Sequence, residues 1–164
     1  MKIGCFCGRF NPPHNGHLAF VKRSLKKVDK LVIVIGLAQE SGTKRNPFSG
    51  KERMLMWKRY VKEHDLKNVR IITIQNGKTL EERIRNLLGH VKFDILFTNA
   101  KSVSKVSKGR FKVEKIRRIG TVSSGRIKKA IASGRGWRHM TGKSVAKTID
   151  EIGGPARIKR IFGS

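Results

Sequence analysis

Residues 3–17 run Ile3-Gly4-Cys5-Phe6-Cys7-Gly8-Arg9-Phe10-Asn11-Pro12-Pro13-His14-Asn15-Gly16-His17. Ile3 to Cys7 form a short strand pattern closed by Gly8. Gly16 to Val28 carries Leu18, Val21 and Leu25 at helical spacing. Between them Pro12-Pro13 stiffens a turn. A strand that turns directly into a helix aims the helix N-terminus beyond the strand's carboxyl end, where free N–H groups and the positive end of the helix dipole favour a phosphate. Gly8 lets the backbone approach a ligand. His14 and His17, three apart as the helix begins, share one side, so both imidazoles can face one phosphate chain and stabilise charge developing on it. A blander reading makes one histidine a helix cap and the other a core residue. The complete string, in its strand–turn–helix setting, favours the phosphate reading.

Working outward, Leu31 to Gly36 is a branched apolar run of the kind buried on both faces of a sheet. A polar loop with Gly42 and Pro47 precedes a helix from about Lys51 to His64. Val69 to Ile74 reads as a third strand, and Thr79 with Glu82 forms a capping box opening a helix over Leu80 to Leu88. Phe93 to Thr98 is a fourth strand. This alternation specifies an α/β fold, a parallel sheet with crossover helices. Beyond it, Lys101 to Gly109 is a basic loop or short helix, and Phe111 to Ile116 a fifth strand with Phe111, Val113 and Lys115 on one side. Ser123 and Ser124 cap a helix through Ile127 and Ile131 to about Ser133. Lys143 to Ile152 is helical, and Gly153-Gly154-Pro155 separates it from a last basic turn or helix. With no repeat and no low-complexity linker, residues 1–164 are expected to form one domain with a helical C-terminal segment from about 123.

The 164 residues suffice for a core without staples. The charge is unusual: 38 Lys+Arg against 11 Asp+Glu give a formal +27. Such a surface attracts polyanions, including nucleic acid without sequence preference. The excess is uneven, since Lys101 to Lys147 holds 15 basic residues and one acid, Glu114, an imbalance that fits an anionic partner and equally a generally basic proteome. Cys5 and Cys7 point to one face of their strand and read as small buried hydrophobes, not as a metal pair. No stretch has the form of an export signal, and the longest apolar run, Leu31 to Ala38, is too short to span a bilayer. A cytoplasmic location is the expectation.

The string from Gly8 to His17 resembles the H-x-G-H motif of the nucleotidyltransferase superfamily. With Gly-Arg-Phe and Pro-x-His beside it, it is similar to the archaeal-type nicotinamide-nucleotide adenylyltransferases. The likeness continues through Ile35 to Gln39, Arg45-Asn46-Pro47-Phe48 and Glu52-Arg53-Met54, and resumes at Ser123 to Lys128, Trp137 and Ser144 to Ile152. The resemblance implies a Rossmann-like fold and transfer of AMP from ATP to nicotinamide mononucleotide, giving NAD and pyrophosphate. It also implies Mg²⁺ accompanying ATP and a homo-oligomer, a hexamer. It sets Arg9, His14, His17 and Arg45 against the triphosphate, and Arg45 is itself a good phosphate fork in a polar loop. Gly8, Phe10 and Gly16 in the first turn, Gly36 and Gln39 after the second strand, Thr98 after the fourth, and Ser123, Ser124 and Arg126 at the late helix complete the expected nucleotide-binding set. No residue is expected to cage a metal.

The departures are specific. Where the family has an arginine gripping the phosphates, the aligned positions read Gly125 and Lys128, with Arg126 between them as a rival. Where the family has an Asn-x-x-Trp stretch after the third strand, this chain has Asn76-Gly77-Lys78-Thr79 and no Trp. A Gly-Asn pair after the fourth strand appears as Asn99-Ala100. The acceptor side is therefore less well kept. Two other readings stand beside the first: a related adenylyl- or cytidylyltransferase with another phosphate-bearing acceptor, and a basic nucleic-acid-binding protein on the same fold.

Overall fold

Along the second strand, Val32 and Val34 turn one way and Leu31, Ile33 and Ile35 the other, and all five are buried. A strand apolar on both faces needs cover on both. In the computed structural model, which describes residues 1–75, 77–99, 103, 107, 109–117 and 119–163, that strand lies inside a five-stranded sheet. The strands are β1 (Ile3–Gly8), β2 (Lys30–Ile35), β3 (Val69–Thr73), β4 (Ile95–Phe97) and β5 (Lys112–Glu114). All neighbours are parallel, in the order β3-β2-β1-β4-β5. The helices are α1 (Asn15–Ser24), α2 (Gly50–Glu63), α3 (Leu80–His90), α4 (Ser124–Ala132), α5 (Lys143–Glu151) and α6 (Gly154–Gly163).

Two apolar clusters flank the sheet. On one face Phe6, Ile33 and Ile35 meet Phe20 and Val21 of α1 and Met56, Trp57 and Tyr60 of α2. Ile127, Ile149 and Ile158 bring α4, α5 and α6 into the same cluster. On the other face Cys5, Val32 and Val34 meet Ile84 and Leu87 of α3, with Val103 and Phe111. Trp57 and Tyr60 of α2 and Trp137 ahead of α5 are buried. Cys5 and Cys7 share a face, with their sulfurs 3.6 Å apart and both thiols free.

Thr79 and Glu82 cap α3 reciprocally, and Ser49 with Glu52 does the same for α2. The expected first helix to Val28 is shorter, ending at Ser24. Lys26 and Lys27 donate to the carbonyls of Arg23 and Ser24, i→i−3 bonds that tighten and close the last turn, which frees Val28 to enter the core. The fourth and fifth strands are three residues each, shorter than the sequence implies. Gly153 alone, at φ +67°, breaks the chain after α5; Gly154 and Pro155 already belong to α6. Most of the basic stretch 101–109 lies outside the described residues.

The chain leaves β1 for β2 on one side and later places β4 on the other. The switch point is thus the crevice beyond the carboxyl ends of β1 and β4, where open parallel sheets bind ligands. Gly8 ends β1 at this crevice, and Thr98 follows β4.

Candidate active site

Two helix N-termini converge on the crevice. His14 is the N-cap of α1: its Nδ1 accepts from the Gly16 N–H at 3.1 Å, while His17 Nδ1 accepts from the His14 N–H at 3.3 Å. A backbone donor leaves each Nδ1 unprotonated, so the proton of each neutral ring sits on Nε2. The two rings stack with centroids 3.6 Å apart. Burial, with the His14 charge as the second cause, holds His17 well below its ordinary value of 6.5. His17 therefore acts as a neutral donor near pH 7. The blander reading of the string is half right, since His14 does cap the helix, yet both rings still line the cleft.

Ser123 caps α4 by accepting from the Arg126 N–H at 3.1 Å. Ser124 Oγ donates to the Pro12 carbonyl at 2.7 Å and so ties the two helix starts together. Gly16 cannot be larger: a Cβ there would lie 2.9 Å from the carbonyl of Ile119 and 3.0 Å from the His14 ring. Phe10, at φ +48°, buries its ring edge-on beneath His17 with centroids 4.9 Å apart, and touches Trp57 similarly. It props the imidazole from below.

Around these helix starts lies a cleft of about 430 Å³ walled by Arg9, His14, His17, Arg45, Ser124 and Lys128. Its cations crowd one another. Burial and then Arg45 lower the Arg9 guanidinium, and burial, Arg9 and Arg45 lower the Lys128 ammonium. No carboxylate lines the cleft. Such a set relaxes when an anion enters it. Lys128, expected to grip phosphate outright, is 8% exposed and donates to the carbonyls of Lys44 at 3.0 Å and Arg45 at 2.8 Å. Two of its three N–H groups thus hold the Arg45 loop in place, and one remains.

Arg126 donates to the Thr121 carbonyl and, like Gln39 on its exposed loop, is not among the residues lining the cleft. Gly36, Gly8 and Thr98 border a separate hollow of about 240 Å³ on the α3 side, with Ile74, Ile84 and Arg83. A third space of about 410 Å³ connects to the cleft beside Thr98, Asn99, Ile119 and Val122. Asn76 and Ala100, where the sequence departs from the family pattern, lie outside the described residues.

Sequence reasoning missed two residues that hold the site. Asn11 pairs with Phe48 through both amide atoms, at 2.9 and 3.0 Å, which locks the turn before α1 to the loop carrying Arg45. Arg53 is fully buried and donates to the carbonyls of Arg9 at 2.7 Å, Gly36 at 2.8 Å, Leu37 at 2.8 Å and Ser49 at 3.2 Å. It clamps the ends of β1 and β2 to α2. A signal existed: Arg53 leads the apolar series Met56, Trp57 and Tyr60 at i, i+3, i+4 and i+7, where an arginine has no packing reason to be.

Comparison with known proteins agrees with this geometry. The cytidylyltransferase-like family matches residues 5–130. Nicotinamide-nucleotide adenylyltransferase of Archaeoglobus fulgidus is 39% identical over 173 residues, covering 96% of this chain and 96% of that protein. The proteins of the same name from Thermococcus onnurineus and Saccharolobus solfataricus are each 33% identical, covering 98% and 100% of this chain and 88% and 99% of their own. A bifunctional NMN adenylyltransferase/ADP ribose pyrophosphatase from Francisella tularensis, solved with AMP and a Mn ion, superposes with a TM-score of 0.77 over 98% of this chain. It is 18% identical, so it shows the fold alone, and this chain spans about half (51%) of its length. The chain therefore belongs to the cytidylyltransferase-like family and, within it, to the archaeal-type nicotinamide-nucleotide adenylyltransferases.

Proposed function

We propose that the chain transfers AMP from ATP to nicotinamide mononucleotide, releasing pyrophosphate and forming NAD. The observation that carries this reading is the cleft itself: stacked imidazoles, each with its proton assigned to Nε2, among three cations and no carboxylate, at the sheet's switch point. The triphosphate lies against Arg9, Arg45, Lys128 and the two helix starts, and its nucleoside fills the space by Thr98 and Asn99. The acceptor's phosphate oxygen attacks the α-phosphorus in line, and the bond to the pyrophosphate oxygen breaks. No covalent intermediate is needed, so the protein contributes positioning and charge stabilisation.

Mg²⁺ belongs to the same proposal. The cleft offers no carboxylate, and among the described residues no group of three metal-ligating side chains occurs. When bound with the triphosphate, Mg²⁺ would supply positive charge beside its oxygens, while Arg9, Arg45 and Lys128 would hold the same anion from the protein side. The acceptor takes the hollow beyond Gly8, where Ile74 and Ile84 supply apolar cover and Arg83 a cation. A homo-oligomer, a hexamer, and a cytoplasmic location complete the reading. Among the described residues no helix is long and apolar enough to cross a membrane.

Pyrophosphate release with ATP or CTP against a panel of phosphate-bearing acceptors tests the reading. NAD should form with an ordinary KM for ATP and a high one for the mononucleotide. A base–aromatic stack is worth ~1–3 kcal/mol, and its absence corresponds to ~5–150-fold in affinity. CTP preferred over ATP, or pyrophosphate released only with another acceptor, would replace this reading by its family alternative.

A further inference from the structure

A cavity of about 570 Å³ lies away from the histidine motif, between the outer edge of α1 and the segment after β5. Arg23 and Lys27 wall it on the α1 side and Lys115 and Arg117 on the other, over a floor of Phe20 and Phe97. Its one carboxylate, Glu114, is taken by Lys27. Among the described residues Arg23, Lys115 and Arg117 enter no ion pair, so the groove presents uncompensated positive charge. It shares Phe20, Asn99, Ile116 and Arg117 with the nucleoside space as lining residues, and that space shares Phe10, His14, His17 and Ser123 with the triphosphate cleft.

The three adjoining spaces, taken in order, are cationic at one end, weakly charged in the middle and cationic again at the other. A nucleoside triphosphate matches only the first two. A ligand matching all three carries a triphosphate, a nucleoside and then a further phosphate. We propose that the groove receives the second nucleotide of a 5′-triphosphorylated RNA whose first adenosine occupies the position of ATP, a proposal that rests on the donor reading above. The net charge of +27 and the 15 basic residues of the segment from Lys101 to Lys147 favour such a polyanion over a lone nucleotide.

The test is competitive displacement of a fluorescent ATP analogue from the full chain by ATP, pppApA or pApA at 50 and 200 mM salt. The variants are Arg23→Gln/Lys115→Gln in the groove and Lys58→Gln/Lys62→Gln on the exposed face of α2. In the unmodified chain pppApA should bind about tenfold tighter than ATP, with a steeper salt dependence by about 0.7 log units per phosphate contacted, and pApA should bind weakly. The groove variant should bring pppApA to the affinity of ATP and leave ATP itself unchanged; the α2 variant should do neither. Equal affinity for pppApA and ATP overturns the proposal, as does an advantage that survives the groove variant. An equal loss in both variants overturns it too, since it reports unspecific attraction. Failure of the donor reading looks different: ATP itself would not displace the analogue, and no NAD would form from ATP and the mononucleotide.

Discussion

Around the cleft of His14, His17 and Lys128, the lining side chains are fixed by backbone partners. His14 and His17 take N–H groups of their own helix start, and Lys128 holds two carbonyls of the Arg45 loop. Ser124 reaches the Pro12 carbonyl. Across Gly8, the hollow of Ile74, Ile84 and Leu87 is shaped by packing between β3, α3 and β4. Of its two described cations, Arg9 is shared with the cleft and Arg83 is anchored by a single bond to the Gly77 carbonyl at 3.1 Å. Backbone-held groups are arranged before a ligand arrives, whereas packed apolar walls accept different flat rings of similar size. A fixed phosphate-handling half beside a permissive half is a way for one fold to keep its chemistry while the acceptor changes.

The largest effect should come from removing a donor on the fixed side. His17→Ala should lower kcat by ~10²–10³-fold, the usual cost of one transition-state hydrogen-bond donor, with a much smaller change in ATP affinity. His17→Asn, which keeps an N–H donor and an acceptor on a planar group, should lose less. Near-normal turnover in a folded His17→Ala protein would remove the imidazoles from the mechanism and leave the comparison without its catalytic half.

Arg53 should come next, although it touches no ligand. Its fork holds the Arg9 carbonyl at the cleft and the Gly36 and Leu37 carbonyls by the neighbouring hollow, and a lysine cannot span them. Arg53→Lys should cut kcat by up to ~10²-fold, the scale expected when reacting groups are displaced by about an ångström. The mononucleotide KM should rise as well, since Arg9 and Gly36 border the hollow given to the acceptor. Thermal unfolding measured in parallel separates positioning from global loss: a purely structural arginine would lower Tm and leave the kcat of the folded protein intact.

The two halves were unequally legible in the sequence. From Gly8 to His17 the donor motif is contiguous, and its strand–turn–helix setting is a local pattern, so both fold and cleft could be read from it. Lys128 was recognised as a cleft residue, but its carbonyl partners lie 84 and 83 residues away, beyond any local pattern. Gln39 and Arg126 do not line the cleft in this structure, since position along the chain says which edge a residue is near, not which way its side chain leaves. The bounds of β4 and β5 were overrun because apolar residues flank the paired ones, Phe93 before β4 and Phe111 and Ile116 on the two sides of β5. The apolar hollow draws on β3, α3 and β4 and has no contiguous signature, so only the absence of a Trp could be noticed.

A third, smaller effect sharpens the assignment of Lys128. Lys128→Ala removes a cation and two hydrogen bonds that position the Arg45 loop, so the KM for ATP should rise about tenfold. A charged-group hydrogen bond is worth ~1.5–3 kcal/mol, and 1.4 kcal/mol is tenfold. Arg126→Ala, which removes a bond to Thr121 on the exposed side, should change it less than about threefold. The reverse ranking in steady-state kinetics would mean that Arg126 turns into the cleft when ATP binds.

The smallest expected effect is an absence, and it follows from the proton assignment. If His17 works as a neutral Nε2–H donor, its useful form is already complete at pH 7, because burial and His14 hold it well below 6.5. Raising the pH to 8.5 then removes nothing from it, and log(kcat/KM) should be flat over that range. An imidazolium requirement predicts a loss of about tenfold per unit there, since the protonated fraction falls tenfold for each unit above the pKa. Stability has the opposite window. The unfolded chain takes up a proton on this histidine as pH falls past 6.5, while the folded chain resists until lower pH. The unfolded state therefore binds more protons in that interval, and stability declines with falling pH by at most ~1.4 kcal/mol per unit from this group. Denaturant unfolding at pH 7.5 and 5.5 should show that loss in the unmodified chain and a smaller one in His17→Asn, which cannot titrate. A rate that drops steadily from pH 7 to 8.5, and is flat in His17→Asn, would mean that the cleft holds a charged imidazole after all.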